Sequence, residues 1–194
     1  MKLGTKEFRN GEGKMLHIKL SEQDIAKNVM LPGDPARCKI IADFFDESHF
    51  VSSEREYTTY TGMKNGAGMT VMSTGMGCPS VAIGVEELYH IGAKNLIRVG
   101  TGGALQAEIK PGAIVIPTGA VRGDGTTLEY VPAEYPAIAD INVVTALIES
   151  CREFGEEPYV GVVRSHDAFY VESPWAHKEW EERIQKWVDA GVKL

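Results

Sequence analysis

Apolar positions along the chain change their period repeatedly, and each change marks an element. Residues 29–31 form an unbroken apolar run of the kind a buried strand carries, and residues 37–45 then take helical spacing. Two strand-like stretches follow at 50–53 and 56–61. Asn65-Gly66 predicts a hairpin turn into a strand at 69–73, because both residues tolerate the positive φ that such a turn needs. From Pro79 the period becomes helical again: Val81, Ala82, Val85, Leu88 and Tyr89 share one face, with proline in the first turn and Gly92 past the end. Strands are expected at 95–99, 113–117 and 159–163. A helix through Ile141, Val144, Leu147, Ile148 and Cys151 is closed by Gly155, and a last one runs through Trp180, Ile184, Trp187 and Val188.

Strands alternating with helices predict an α/β fold, with a largely parallel sheet, helices on both faces and ligands at the carboxyl ends of strands. No repeat, low-complexity run or linker divides the chain, so its 194 residues are expected to form a single domain. The end is unusual. Gly191-Val192-Lys193-Leu194 reads as a helix terminus followed by the opening of another strand, and the domain is expected to be incomplete at its C-terminal side.

Two segments stand at predicted strand ends and pair glycine with arginine: Leu31-Pro32-Gly33-Asp34-Pro35-Ala36-Arg37, and Leu96-Ile97-Arg98-Val99-Gly100-Thr101-Gly102-Gly103-Ala104. Glycine lets peptide N–H groups approach an oxyanion closely, and guanidinium offers it a planar fork of donors. Together they point to one anion held from two sides. Two other readings stay open: a dinucleotide-binding turn at Gly100-Thr101-Gly102-Gly103, which departs from Gly-x-Gly-x-x-Gly spacing, and two ordinary glycine turns. Arg98 carries most of the argument. It lies between apolar residues on a strand, where an unpaired charge is costly, so it needs either an anion or a buried carboxylate.

Charge narrows the partners. The net charge of −7 argues against a general nucleic-acid binder and places positive potential in a local pocket on an acidic body. Cys38, Cys78 and Cys151 are widely spaced, with no zinc-ligand pattern, which fits thiols in a reducing compartment. Met1-Lys2-Leu3-Gly4-Thr5-Lys6-Glu7 is too charged for a secretory signal and no apolar run reaches membrane-spanning length, so a cytoplasmic protein without a membrane partner is expected.

Further segments in the same order sharpen the picture: Arg55-Glu56-Tyr57-Thr58-Thr59, Ser73-Thr74-Gly75-Met76-Gly77 and Asp167-Ala168-Phe169-Tyr170. With the two glycine-arginine segments, they make residues 17–170 resemble the nucleoside phosphorylases of the uridine phosphorylase and hexameric purine nucleoside phosphorylase type. Val121-Arg122-Gly123-Asp124-Gly125 and Glu134-Tyr135-Pro136-Ala137-Ile138-Ala139-Asp140 are closer to the uridine branch. The resemblance implies a three-layer α/β/α phosphorylase-like fold with a mixed, largely parallel central sheet. It also implies cleavage of a nucleoside by inorganic phosphate to free base and pentose 1-phosphate, with phosphate as co-substrate and no required cofactor.

Site roles are implied residue by residue. Gly33 would donate its backbone N–H to phosphate, Arg37 and Arg98 would clamp phosphate oxygens, and Thr101 would bind phosphate and ribose. Arg98 and Thr101 are thereby the expected catalytic pair. Arg55 would reach the phosphate of a neighbouring subunit and His17 that neighbour's ribose 5′-hydroxyl, which makes the protein a dimer-based homo-oligomer, hexameric in the family, with shared active sites. Phe169 would pack on the base, and Glu56, the Met76 carbonyl and Ser80 match positions that hold an interfacial potassium ion in some uridine phosphorylases. Taken singly, each also has an ordinary reading: a solvated arginine at 37 or 55, a surface histidine at 17, core packing at 169.

The match also fails in places. Where the uridine branch carries a glutamine and an arginine two apart, reading the uracil edge, this chain has Ser173 and Trp175. A base-reading site loses discrimination without such groups, so uridine is the leading substrate and purine nucleosides the alternative. The family's ribose-clamping methionine-and-glutamate motif is expected beyond Leu194. A nucleoside hydrolase, or a non-catalytic nucleoside- or phosphate-binding protein, are the other functions weighed.

Overall fold

The computed structural model describes residues 8–176 and 178–194, which divide after Gly100 into two compact units. The charged start at residues 1–7 lies outside the described residues.

The first unit contains β1 (Asn28–Pro32), α1 (Pro35–Ala42), β2 (Glu47–Glu54), β3 (Tyr57–Lys64), β4 (Ala67–Met72), α2 (Cys78–His90) and β5 (Asn95–Val99). Its five strands form one sheet in the order β2-β3-β4-β1-β5. β1 runs parallel to both β4 and β5, whereas β2, β3 and β4 are antiparallel neighbours. The parallel part therefore carries the glycine-arginine segments, and the hairpins supply the antiparallel part. Asn65 and Gly66 have φ of 49° and 77°, the paired positive values predicted for a two-residue turn between Lys64 and Ala67.

Side-chain alternation along β1 builds the layers. Val29 and Leu31 join a core with Tyr57, Met72 and, from α2, Leu88 and partly buried Val85. Met30 points the other way, to Cys38, Ala42 and Ile41 of α1 with Val71. The two helices thus cover opposite faces of the sheet, the α/β/α arrangement expected. α1 starts two residues before its apolar period suggests, because Asp34 caps it by accepting from Ala36 N at 2.9 Å and Pro35 occupies the first turn.

The second unit contains β6 (Val115–Gly123), α3 (Thr126–Tyr130), β7 (Ala137–Ile138), α4 (Ile141–Glu153), β8 (Tyr159–His166) and α5 (Trp180–Asp189). The strands form a second sheet, β7-β6-β8, with β6 parallel to β8 and antiparallel to β7. β6 runs six residues beyond its expected end at Pro117. The strand continues through a register shift between Pro117 and Gly119, and a Cβ at Gly119 would lie 2.7 Å from the Ala137 carbonyl oxygen, so only glycine lets β7 approach. α3 and β7 have no expected counterpart, being too short to show a period. Beyond α5, Lys193 N donates to Val162 O and Arg164 N to Leu194 O, each at 2.8 Å, so the last two residues lie along β8 as the strand-like reading of that segment expects.

Candidate functional site: an arginine-glycine cradle

In the first unit, Gly33, Arg37 and Arg98 converge at the carboxyl ends of β1 and β5. Register makes this happen: Leu31 is paired with Arg98 and Pro32 with Val99, which brings both segments to the same edge of the sheet. The Arg98 guanidinium lies between glycines. A Cβ at Gly33 would sit 3.1 Å from Arg98 Nη2 and 3.3 Å from the Gly75 carbonyl oxygen, and one at Gly100 would sit 3.2 Å from Nη1.

Arg98 donates through Nη1 to the carbonyls of Leu31 at 3.0 Å and Val99 at 2.7 Å. Among the described residues no carboxylate pairs with it, and none pairs with Arg37. Partial burial, and then the Arg37 charge, push Arg98 below the ordinary guanidinium range. The guanidinium is packed against backbone although the residue keeps an exposed face. Two unneutralised guanidinium groups beside a glycine backbone favour a small oxyanion, which would relieve their repulsion and take up the free Nη2 fork. Arg98 is thus exposed rather than the buried charge that its apolar strand predicts, and its Nη1 is satisfied by backbone carbonyls, with no carboxylate paired to it among the described residues.

Gly33→Ala tests the fit. The added methyl displaces the guanidinium, so phosphate affinity should fall severalfold, with stability changed by no more than about 1 kcal/mol. Phosphate titration calorimetry beside a thermal melt reads both; unchanged affinity would show that the close approach has no role.

Thr101 follows two residues after β5 as the first residue of the second unit, and is exposed. Arg55 occupies the two-residue turn between Glu54 and Tyr57, with φ of 53° and an exposed side chain. A left-handed backbone at a non-glycine residue costs about 1–2 kcal/mol. Beside it, Glu56 packs against the loop before α2: a Cβ at Gly75, whose φ is 68°, would lie 2.9 Å from Glu56 Cβ and 3.3 Å from Ser80 Oγ. Ser80 Oγ donates to the Thr74 carbonyl, Ser73 Oγ donates to that of Glu56, and Met76 is almost fully exposed. Glu56 and Ser80, the latter in the first turn of α2, thus both lie against Gly75, the residue before Met76.

His17 has a partner that its reading as a surface residue does not include. Its Nδ1 lies 2.6 Å from Glu87 Oε1, and the same carboxylate accepts from the backbone N–H groups of His17, at 3.0 Å, and Ile18, at 2.9 Å. Glu87 is only 7% exposed, on the α2 face with Gly84 and Leu88. A glutamate inside an apolar helical stripe was the available signal, since a buried carboxylate demands donors.

In the second unit, Arg122 is a staple. Its guanidinium donates to the Thr127 side chain and to the carbonyls of Thr127, Val131, Pro132 and Tyr135, tying β6 to α3 and the segment before β7. Buried Asp124 accepts from Thr127 N at 2.7 Å, and Asp167 accepts from Gly125 N at 2.9 Å, so Val121–Gly125 and the segment opening at Asp167 are physically joined. Phe169 is 80% exposed, with Tyr170 edge-on at 5.0 Å between ring centroids and Trp175 a further 5.9 Å from Tyr170. Phe169 is therefore a surface ring, not a core residue. Sequence reasoning also missed the half-buried pair of Arg164 and Glu172, 2.6 Å apart, on which the turn after β8 rests.

Among the described residues no group of three or more histidine, cysteine or acidic side chains is placed to hold a metal, and no helix is long and apolar enough to cross a membrane.

Comparison with known proteins matches residues 27–194 to the Phosphorylase superfamily. Uridine phosphorylase of Treponema pallidum is 48% identical over 172 residues, covering 88% of this chain and 67% of that protein. Uridine phosphorylase of Thermococcus kodakarensis is 45% identical, covering 82% and 58%. Guanosine phosphorylase of Halorubrum lacusprofundi is 40% identical, covering 92% and 71%. The chain thus spans from a little over half to just over two thirds of these relatives' length. Among solved structures, uridine phosphorylase of Vibrio fischeri superposes with a TM-score of 0.86 at 34% identity, covering 93% of this chain and 73% of that one. With residues 27–194 matched to the family and the fold superposing on that of a solved relative, the chain belongs to the phosphorylase superfamily.

Proposed function

We propose that this chain carries the phosphate-binding core of a nucleoside phosphorylase, a pentosyltransferase acting on uridine in nucleoside salvage. The observation that carries the reading is Arg98, which pairs with no carboxylate among the described residues, against the Gly33 backbone and within reach of the Arg37 charge. Relatives named uridine phosphorylase, at 39–48% identity, support the lean to uridine.

In the reaction so read, a phosphate oxygen forms a bond to the anomeric carbon as the N-glycosidic bond breaks, and the base leaves with the bonding electron pair. The transition state has oxocarbenium character. Arg37, Arg98, Gly33 and Thr101 hold the anionic nucleophile beneath that developing positive charge, so catalysis is positioning and electrostatics without a covalent enzyme intermediate. His17 binds the 5′-hydroxyl of the ribose in a neighbouring subunit, and Phe169 lies on the base. Arg55 reaches phosphate across a subunit boundary, in a homo-oligomer in the cytoplasm. Glu56, Ser80 and the Met76 carbonyl offer oxygen donors around Gly75, a set that suits a potassium ion.

The guanosine phosphorylase relative, together with Ser173 and Trp175, supports purine nucleosides as the second substrate reading. Uridine and inosine competed at equal concentration in phosphate buffer separate the two. Preferential release of uracil supports the uridine reading, and preferential release of hypoxanthine overturns it.

Arg55 has its own test. Arg55→Gly keeps the left-handed turn and relieves its strain, so the melting temperature should hold or rise while phosphate-dependent turnover falls at least tenfold. Full turnover in this variant would remove Arg55 from the phosphate site.

A further inference from the structure

We propose that Glu87 is a positioning residue that sets the ring tautomer of His17 and so orients it toward a nucleoside hydroxyl; this rests on the reading of His17 as a ribose contact. Glu87 is nearly buried, yet it accepts from three donors, His17 N, His17 Nδ1 and Ile18 N, all belonging to a segment seventy residues earlier. A carboxylate is acceptor-only, so at 2.6 Å the proton between Nδ1 and Oε1 belongs to the imidazole. In the neutral ring Nε2 is then left as the acceptor. The two backbone bonds fix where the ring starts, and the third fixes its rotation.

The imidazole itself is 44% exposed, so its other edge is open for a ligand while the Nδ1 edge is held. An Nε2 acceptor suits a hydroxyl donor such as the ribose 5′-hydroxyl. His17 would therefore discriminate a nucleoside bearing a 5′-hydroxyl from one lacking it, and Glu87 would be the source of that discrimination at second hand. Glutamine at 87 keeps the shape but turns one oxygen into an NH₂ donor facing N–H groups, so the ring is no longer held one way.

Two measurements test this on the full 194-residue chain. In the unaltered protein, nitrogen-15 correlation spectra of the histidine rings, recorded at a pH at which the rings are neutral and with His17→Ala to assign the signal, should show His17 protonated at Nδ1 and unprotonated at Nε2. A neutral ring protonated at Nε2 overturns the proposal whatever the variants do. Affinities for uridine and 5′-deoxyuridine, measured without phosphate, supply the second arm. Glu87→Gln and His17→Ala should each weaken uridine by about fivefold, the worth of one hydrogen bond, and leave 5′-deoxyuridine unchanged. Glu87→Gln weakening both ligands equally while His17→Ala keeps the discrimination overturns the positioning role. His17→Ala weakening both equally removes His17 from the ribose, and the ring spectrum then decides alone whether Glu87 sets the tautomer.

Discussion

Arg98→Ala should lower phosphate affinity at least tenfold while leaving the fold intact. Charge-assisted hydrogen bonds net about 1.5–3 kcal/mol each, and losing one such bond already corresponds to a factor of ten or more. The structural cost is small because Arg98 pairs with no carboxylate among the described residues: its loss frees the Leu31 and Val99 carbonyls and relieves the repulsion with Arg37. The melting temperature without phosphate should therefore change little, and the rise that phosphate confers on the unaltered protein should disappear. Arg98→Lys should recover part of the affinity, since one ammonium cannot reproduce a planar fork. Phosphate titration and thermal melts with and without phosphate read each of these. A large loss of stability with unchanged phosphate affinity would make Arg98 a structural strut.

Arg122→Ala should do the opposite. Four carbonyls and a hydroxyl of residues 127–135 depend on its guanidinium, so its removal should cost about 2–4 kcal/mol and release that segment. Hydrogen exchange should then quicken across residues 126–138 and leave the first unit's sheet protected. Arg122→Lys should not repair the loss, because a single ammonium cannot span acceptors spread over four residues. Unchanged exchange in that segment would refute the staple.

These two arginines show what the sequence makes legible. Both were visible as parts of motifs, but the role of Arg98 could be argued from local facts: an apolar strand, adjacent glycine and a register that parallel pairing imposes. The role of Arg122 depends on carbonyls supplied by α3 and the segment before β7, elements too short for any period to reveal. Turn chemistry was equally local, so Asn65-Gly66 specified its hairpin and Asp34-Pro35 could have specified the start of α1. Glu87 escaped for the converse reason. Its donors lie seventy residues away, and only its place within the buried stripe of α2 signals that something must satisfy it.

In the proposed reaction phosphate is the nucleophile and not a bystander. Incubating the chain with uridine in matched buffers with and without inorganic phosphate, and following uracil by absorbance and sugar phosphate by phosphorus-31 NMR, tests that most directly. Uracil should appear only with phosphate, in equal amount to a new pentose 1-phosphate resonance. Uracil released at the same rate without phosphate, with free ribose as the second product, would contradict it.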